Sequence, residues 1–324
     1  MAHRFANPDP RHLPHGPAAV WRWAVGDRLR GRRRIAPAGP PAPERPIDLA
    51  ALTAEGARPS LTWLGHASFL GRLGDELFAV DPVLSRRIGV VYKRHGRPPL
   101  TPDELPRLDV VLLSHNHYDH LDLPTLRAVE PGTPFVTPRG LGRWLERRGF
   151  SPVVELDWWQ TTRVGGLEIT LVPARHWSRR SILDTNQTLW GGFVIRSQAT
   201  AVYHAGDSAT FDGFAEIGDR FPGLAAAMIP VGGYLPGWFM ENNHMTPEQG
   251  AQAFLDSGAR LMLPMHWGTF QLTDEPVAEP GARLAEWWHK NAPDDGRRLA
   301  LLAVGETVEL DGDAGGEAVG AEAE

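Results

Sequence analysis

A seven-residue run that holds three histidines and an aspartate constrains this chain more than any other feature of its sequence. The run is Ser114–His120, and it directly follows the apolar, β-branched segment Val110–Leu113. Such a segment predicts a buried strand, whereas each buried imidazole or carboxylate needs a polar partner of its own. We therefore expect the run on the loop at the end of that strand, where its nitrogen and oxygen atoms can point at one place.

The residue types in this run indicate a metal site. His115 and His117 are two apart in an extended segment and so face the same side, while Asp119 and His120 can reach a second point nearby. Imidazole and carboxylate without thiolate suit zinc, and iron or manganese could also bind. The chain has no cysteine, which excludes cysteine-ligated zinc fingers, iron–sulfur clusters and thiol nucleophiles. The alternative interpretation is a solvated loop rich in histidine.

Further candidate ligands stand a few residues after other short apolar runs. They are His176, Asp207 and His266. In open α/β sheets, functional residues gather beyond the carboxyl ends of the strands. Any one of these residues alone would more often be structural, but four strand ends with the same ligand chemistry predict a binuclear metal site.

Apolar runs, turns and helical stretches alternate from Leu61 to about Leu310, which predicts an α/β layered architecture. Nine short runs predict buried strands: Leu61–Leu64, Leu77–Val80, Val110–Leu113, Phe135–Thr137, Leu167–Val172, Phe193–Ile195, Ala201–Tyr203, Ala227–Val231 and Leu261–Leu263. A capping box at Thr246–Gln249, with proline at the first helical position, predicts a helix that stops near Gly258. Asp122 with Pro124 predicts the start of another helix, and Leu141–Arg148 and Arg283–Lys290 predict amphipathic helices.

Charge and composition divide the chain into three parts: a basic arm and Pro-rich connector (1–46), a folded body (47–310) and an acidic tail (311–324) that we expect to be disordered. Residues 1–35 carry eight arginines against two aspartates, and the tail carries five acidic residues and no base. The net charge of the chain is −6, so the body is mildly acidic and no nucleic-acid partner is expected.

No apolar run approaches the roughly 18–20 residues of a membrane span, and the N-terminus lacks the apolar region of a secretion signal. We therefore expect a cytoplasmic protein. Trp21 and Trp23 alternate with arginines in the arm, which could lie on an anionic bilayer as a peripheral contact at the inner membrane face. The alternative is an arm that packs on the body or is disordered.

Longer strings extend this pattern well beyond the candidate ligands. They are Gly65-His66-Ala67, Ser114–Leu121, Glu155–Trp159, His176-Trp177, Ala205-Gly206-Asp207, Trp238-Phe239-Met240 and His266–Phe270. With the His-x-His-x-Asp-His order of the first run, they resemble the metallo-β-lactamase superfamily and, within it, the phospholipase D branch that hydrolyses N-acylphosphatidylethanolamine. The resemblance runs from about Phe5 to Val308.

The resemblance implies that residues 47–310 form a metallo-β-lactamase-like hydrolase domain, an αββα sandwich of two mixed β-sheets flanked by helices. It also implies a ligand set: His115, His117 and His176 for one metal, Asp119, His120 and His266 for the other, and Asp207 as the bridge. His244 matches a family histidine that lies in the site without binding metal, and Asp81 matches a carboxylate that supports a ligand loop. A homodimer is suggested by the same resemblance.

The expected activity is that of a binuclear zinc hydrolase, with two zinc ions per chain, which cleaves a phosphodiester bond. A metal lowers the pKa of bound water to about 7, and a cationic site stabilises the charge of the transition state. Asp119 is expected to orient the hydroxide. His244 would protonate the leaving alkoxide or hold a phosphoryl oxygen, or else it begins a helix and has no chemical role.

The expected substrate is N-acylphosphatidylethanolamine or a related glycerophospholipid, cleaved as by a phospholipase D. The resemblance disfavours β-lactam hydrolysis, because β-lactam hydrolases of this fold lack the bridging aspartate and many use a cysteine ligand. Two alternatives stay open: a lactone hydrolase of the sugar-phosphate lactonase type, and a non-catalytic, metal-stabilised anion-binding module. Arg179 and Arg180 could contact a substrate phosphate or form a solvated pair, and His66 is expected just outside the metal shell.

Overall fold

Two seven-stranded mixed sheets form the centre of the molecule in the computed structural model, which describes residues 4–7, 15–89, 91–181 and 183–310. The strands are β1 Ser60–Gly65, β2 Ser68–Leu73, β3 Glu76–Val80, β4 Arg87–Ile88, β5 Tyr92–Lys93, β6 Val110–Leu112, β7 Phe135–Pro138, β8 Val153–Leu156, β9 Thr161–Val164, β10 Leu167–Val172, β11 Gly192–Arg196, β12 Ala201–His204, β13 Ala226–Pro230, β14 Leu261–Met265, β15 Arg298–Leu299 and β16 Thr307–Glu309. The first sheet has the order β16-β1-β2-β3-β6-β7-β8, and the second has the order β15-β14-β13-β12-β11-β10-β9. Strands β4 and β5 form a separate hairpin.

Each sheet is antiparallel in one half and parallel in the other. In the first sheet β16, β1, β2 and β3 pair antiparallel, and β3, β6, β7 and β8 pair parallel. In the second, β9 to β12 pair antiparallel and β12 to β15 pair parallel. Strands β3 and β6 therefore end at one edge of their sheet, and β10, β12, β13 and β14 end at one edge of theirs.

Strand β6 shows how the sequence pattern becomes a layered core. Side chains alternate between the two faces of a strand. Val110 and Leu112 point into the apolar layer between the sheets, together with Phe193 of the second sheet. Val111 points to the outer face of the first sheet, where it joins a second apolar cluster. A strand that is buried on both faces reads as a continuous apolar run, as this segment does.

Helices cover both outer faces of the sandwich. They are α1 Pro17–Trp21, α2 Asp27–Leu29, α3 Leu49–Thr53, α4 Leu123–Leu126, α5 Gly142–Glu146, α6 Gly213–Arg220, α7 Gly237–Met240, α8 Pro247–Asp256 and α9 Glu279–Asn291. A π-helical turn, Arg22–Gly26, joins α1 to α2, and a 3₁₀ turn spans Pro102–Glu104. Helices α3 to α5 pack on the first sheet and α6, α8 and α9 on the second. The predicted αββα sandwich of two mixed β-sheets flanked by helices is confirmed.

All nine predicted strands are present with small shifts at their ends, and the capping box begins α8, where Thr246 Oγ1 accepts the N–H of Gln249. Strand β2 was not predicted, because glycine and arginine are uncommon in buried strands. Gly71 is required there, since a Cβ at this position would lie 2.2 Å from the Phe78 ring.

The described part of the N-terminal arm packs against the body beside α7. Trp23 stacks on Phe239 with 4.8 Å between ring centroids. The Arg33 guanidinium lies 4.2 Å from the Trp23 ring centre and pairs with Asp274 at 2.7 Å. Residues 1–3 and 8–14 of the arm and the predicted acidic tail, 311–324, lie outside the described residues. None of the helices in the described ranges combines the length and the hydropathy that a membrane-spanning helix needs.

Candidate metal centre

The predicted ligands meet at the edge where both sheets present the carboxyl ends of strands. The run 114–120 follows β6, His176 follows β10, Asp207 follows β12 and His266 follows β14. His244 reaches the same place from the segment that leads from α7 into α8. Because the central strands of each sheet run parallel, their carboxyl ends lie at one edge and the loops that follow them meet there, although the residues are far apart in the sequence.

The Asp207 carboxylate lies at the centre of the cluster. Its Oδ2 is close to the Nε2 atoms of four imidazoles: 3.1 Å from His120, 3.3 Å from His266, 3.7 Å from His176 and 3.8 Å from His115. His115 and His176 belong to the first predicted ligand set, and His120 and His266 belong to the second. A carboxylate in this position can be shared by two cations.

Among the described residues the candidate ligand atoms form overlapping groups, in each of which all atoms lie within 4.8 Å of one another, and two of these groups have four members. One group consists of His115, His117, His176 and Asp207, and the other of His66, Asp119, His120 and His266. The groups contain the residues predicted for the two metals, with His66 as an addition. Because Nε2 of His66 donates to Oδ2 of Asp119 at 2.9 Å, that nitrogen serves the carboxylate and not an ion.

Several atoms that face the centre of the cluster are buried and, within the described part of the chain, lack a hydrogen-bond partner. They are Nε2 of His120, Nε2 of His266 and Oδ1 of Asp207, and the two nitrogens lie near Oδ2 of Asp207 without the alignment of a hydrogen bond. An unsatisfied buried polar atom costs about 1–3 kcal/mol, so three of them in one place require an explanation. Metal ions would satisfy all of them, and the imidazole and carboxylate donors fit zinc, iron or manganese.

The electrostatics of the cluster also suit a cation. Burial lowers the pKa of His117 to about 4 and the pKa values of His115 and His176 well below the usual range, so these imidazoles are neutral, as metal ligands must be. Burial also acts to lower the pKa of His266, but the carboxylates of Asp207 and Asp119 outweigh it and raise that pKa to about 9. The carboxylates therefore attract positive charge at this point.

Hydrogen bonds from outside the cluster orient two of the imidazoles. Nδ1 of His120 donates to Oδ2 of Asp81 at 2.7 Å, and the same carboxylate accepts the Ser114 N–H at 2.7 Å. Asp81 thus holds both the start and the end of the run, in agreement with the supporting role that the resemblance implies. Nδ1 of His176 donates to the Asn243 carbonyl at 3.0 Å. In each case the bond leaves Nε2 facing the cluster.

A left-handed glycine places Asp207. Gly206 has φ +61°, and a Cβ at this position would lie 2.5 Å from the Gly191 carbonyl oxygen. The turn from β12 into the site therefore requires glycine directly before the aspartate.

His244 lies inside the cluster beside the candidate ligands. Its ring centre is 5.0 Å from that of His266 and 5.3 Å from that of His176. Burial lowers the pKa of His244 to about 3, so its imidazole is neutral at pH 7 in the absence of bound ions and substrate. In this state it can donate one hydrogen bond and accept another.

The two arginines after His176 have different surroundings. Arg179 is exposed, and its guanidinium lies 5.0 Å from the Trp177 ring centre. The Arg180 guanidinium lies 4.1 Å from the Tyr118 ring centre and donates to the Asn116 carbonyl at 3.1 Å. Arg180 therefore supports the ligand run, a role that sequence reasoning missed because nothing in the linear order pairs these two segments.

The Asn243 carbonyl was missed for a related reason: every residue has a carbonyl group, so no residue type indicates it. His66 was expected just outside the metal shell. In the structure its Nε2 atom donates a hydrogen bond to the carboxylate of Asp119.

The chain is similar to known metal-dependent hydrolases of one superfamily. The sequence profile of the beta-lactamase superfamily domain matches residues 77–267. The N-acyl-phosphatidylethanolamine-hydrolyzing phospholipase D 1 of Caenorhabditis elegans is 33% identical over 243 residues, which are 69% of this chain and 68% of the relative. A metal-dependent hydrolase of Rubrobacter xylanophilus is 32% identical over 219 residues, 65% of this chain and 82% of the relative. The structure of a metallo hydrolase from Ignicoccus hospitalis matches with a TM-score of 0.58 and 24% identity, covering 78% of this chain and 98% of that one.

Proposed function

Because this chain belongs to the beta-lactamase superfamily and is a metal-dependent hydrolase, we propose that it cleaves the phosphodiester bond of N-acylphosphatidylethanolamine or a related glycerophospholipid in a phospholipase D-type reaction. The family membership predicted from the sequence is confirmed, both for the superfamily and for the branch of N-acylphosphatidylethanolamine-hydrolysing phospholipases D. The observation that carries the proposal is the position of Asp207 Oδ2 between imidazoles of both ligand sets, at 3.1 Å from His120 and 3.7 Å from His176.

The residues of the cluster would hold two cations, which we propose to be zinc. The first set is His115, His117 and His176, the second is Asp119, His120 and His266, and Asp207 is shared. When bound, such a pair of ions supplies an activated water and compensates the negative charge that develops on a phosphoryl group. Only two carboxylates stand among the seven ligands, so the loaded site keeps a net positive charge. This charge favours an anionic diester over a neutral substrate.

Asp119 is suited to orient the attacking water. Its neighbouring histidines, His120 first, hold the pKa of the Asp119 carboxyl well below the usual range against the opposing effect of burial. It is therefore an anion at neutral pH and can accept a hydrogen bond from water. Oδ2 is already held by His66, which limits rotation of the carboxylate.

His244 is suited to contact the phosphoryl group. As a neutral imidazole between His176 and His266, it can donate a hydrogen bond to a phosphoryl oxygen. Protonation of the leaving alkoxide is the second role that we consider for this residue, and it requires that the bound diester raise the pKa of His244 from about 3.

A peripheral contact with an anionic membrane would deliver a lipid substrate. Trp21, Val25 and Leu29 are four residues apart along the N-terminal arm and are 55%, 42% and 81% exposed. Exposed arginines surround them: Arg28, Arg30, Arg32 and Arg34. Apolar side chains next to cationic ones are typical of segments that lie at the surface of anionic bilayers. The arm packs beside α7 through Trp23, so such a contact would lie near the segment that carries His244.

Product analysis tests the activity. Zinc-loaded protein is incubated with vesicles that contain N-acylphosphatidylethanolamine, and the lipids are identified by mass spectrometry. We expect phosphatidic acid and N-acylethanolamine in equal amounts, and neither product from the Asp207→Asn variant. Release of free fatty acid, or turnover of a lactone but of no phosphodiester, would contradict the proposal.

Vesicle co-sedimentation tests the membrane contact separately. Leu29→Asp is expected to reduce binding to anionic vesicles severalfold, while Leu301→Asp, at a 40% exposed leucine outside the arm, is expected to leave it unchanged. Equal binding of wild type and Leu29→Asp would rule out this role of the arm. Hydrolysis of a detergent-dispersed diester should be the same in all three proteins.

A further inference from the structure

We propose that Asn7 is a positioning residue for His176, so that the extreme N-terminal segment is part of the metal centre. This inference rests on the metal-binding part of the proposed function and not on its substrate. The carboxamide of Asn7 makes two hydrogen bonds to the backbone of His176. Nδ2 donates to the His176 carbonyl at 2.8 Å, and Oδ1 accepts the His176 N–H at 3.1 Å.

The backbone of His176 needs such a partner because it lies beyond the ladder of its sheet. Strand β10 ends at Val172, which is the last residue that pairs with β11. His176 is buried, so its N–H and C=O groups have little access to water. A primary amide presents one donor and one acceptor with the geometry of a peptide group, and Asn7 is itself only 8% exposed. The Asn7 side chain therefore makes the two backbone hydrogen bonds that a neighbouring strand would otherwise make to His176.

A second contact anchors the segment that carries Asn7. The N–H of Phe5 donates to the Asn186 carbonyl at 2.7 Å. Asn186 in turn is tied to the segment after His176, since its Oδ1 accepts the Ser178 N–H at 3.1 Å. Residues 5–7 thus contact the part of the chain after β10 at two points, His176 and Asn186.

These contacts determine where the His176 imidazole points. Asn7 fixes the backbone and the Asn243 carbonyl fixes Nδ1 of the ring, at 3.0 Å. Nε2 is then placed 3.3 Å from Nδ1 of His117 and 3.7 Å from Oδ2 of Asp207. If the backbone anchor is removed, Nε2 is free to move away from these atoms. The cation held by the first ligand set should then bind more weakly, and the other cation should be affected less.

The match to the superfamily profile begins at residue 77, so Asn7 comes from a part of the chain that the profile does not include. No sequence pattern indicates Asn7 as a site residue, and it falls within residues 1–46, which are predicted to form a basic arm and Pro-rich connector. The structure assigns the first described segment of this arm, residues 4–7, to the support of a ligand.

Metal binding by the full-length chain tests this assignment. The Zn²⁺ dissociation constants of wild type, Asn7→Ala, Asn7→Asp and Asn291→Ala are measured by competition with a chromogenic chelator, and the Co²⁺-loaded proteins are compared by visible absorption. Outer partners of metal ligands commonly contribute 10–100-fold to affinity. We expect Asn7→Ala to weaken one of the two sites by about that factor, with a changed Co²⁺ spectrum, and to leave the other site within about threefold.

The other variants give the controls. Asn7→Asp keeps the acceptor for the His176 N–H but places an anion at the carbonyl, so its loss should be at least as large. Asn291→Ala removes an equivalent hydrogen bond from Nδ2 to the Trp287 carbonyl, at an exposed position in α9, and should bind both ions as wild type does. If Asn7→Ala does not fold, Asn7→Ser and Asn7→Asp serve for the same comparison.

The outcomes are distinct. Wild-type affinity at both sites in the Asn7 variants, even with a lower Tm, would overturn the inference and show that Asn7 has only a structural role. Wild-type protein that binds two ions but does not cleave N-acylphosphatidylethanolamine would contradict the proposed substrate, while a weakened site in Asn7→Ala would still support the inference. Wild-type protein that binds no ion would overturn both.

Discussion

Nε2 of His66 lies 2.9 Å from Oδ2 of Asp119, and this hydrogen bond joins the turn between β1 and β2 to the loop after β6. The backbone of His66 makes a second link, because its carbonyl accepts the N–H of His266 at 3.1 Å. His66 adopts a left-handed conformation, with φ +54°, which non-glycine residues adopt only when their surroundings compensate the cost. One residue therefore connects two of the loops that carry candidate ligands.

Replacement of His66 by alanine should lower kcat/KM by about 10–100-fold, because Asp119 loses the donor that orients its carboxylate. The affinity for the cation of the second set should fall by a similar factor. Steady-state kinetics on a bis-aryl phosphodiester and metal analysis after dialysis measure both effects. His289→Ala, at an exposed histidine of α9, is the matched control and should behave as wild type; full activity of the His66 variant would show that the contact has no catalytic consequence.

The substitution Asp207→Asn should remove the anionic carboxylate that both cations would share, while the volume of the side chain stays nearly the same. Since even residues outside the ligand shell contribute 10–100-fold, we expect a loss of more than about 100-fold in turnover and a metal content below two per chain. Inductively coupled plasma mass spectrometry gives the stoichiometry. Asp212→Asn, at the exposed residue that precedes α6, should retain both ions. Two tightly bound ions in Asp207→Asn would contradict a shared carboxylate.

Removal of the metals should abolish activity and leave the sheets intact. The apolar layer between the sheets includes buried residues from both of them and does not depend on the ions. Loss of a ligand present at about 1,000 times its Kd lowers the free energy of unfolding by only about 4 kcal/mol. Far-ultraviolet circular dichroism should change little after chelation, Tm should fall, and added Zn²⁺ should restore both Tm and turnover. Collapse of the sheet signal on chelation would instead favour a module whose ions are structural.

The ion pair between Arg33 and Asp274 should stabilise the attachment of the N-terminal arm. Its atoms are 2.7 Å apart, and the side chains are only 8% and 7% exposed. Removal of one partner from a buried pair leaves an uncompensated charge and costs about 3–5 kcal/mol, so Asp274→Ala should lower the free energy of unfolding by that amount in urea denaturation.

The exposed pair Arg58–Glu309 supplies the comparison for this prediction. Its side chains are 77% and 62% exposed, and Arg58→Ala should cost less than about 1 kcal/mol because water screens the interaction. Equal losses in the two variants would mean that the Arg33–Asp274 contact contributes no more than a surface pair does.

Much of the architecture could be predicted from local patterns. The nine predicted strands are all present because each is a short run rich in apolar and β-branched side chains with its own turn signals, such as Val110–Leu113 before the ligand run. Strand β2 was missed because Gly71 and Arg72 interrupt its pattern, and only the neighbouring Phe78 ring explains the glycine. The convergence of His115, Asp207 and the other ligands could be anticipated from their places after strands and from the family resemblance.

The amino-acid order by itself determined which residue types are available to bind metal and at which strand ends they stand, because strand formation depends on short stretches of apolar, β-branched side chains. Only the tertiary structure decided which groups orient those ligands. Asn7 reaches His176, Asn243 reaches the same imidazole through a carbonyl, and Arg180 reaches Asn116. The physical reason is that a hydrogen bond depends on distances of about 3 Å between atoms, and for segments far apart in the chain these distances are set by the packing of the two sheets.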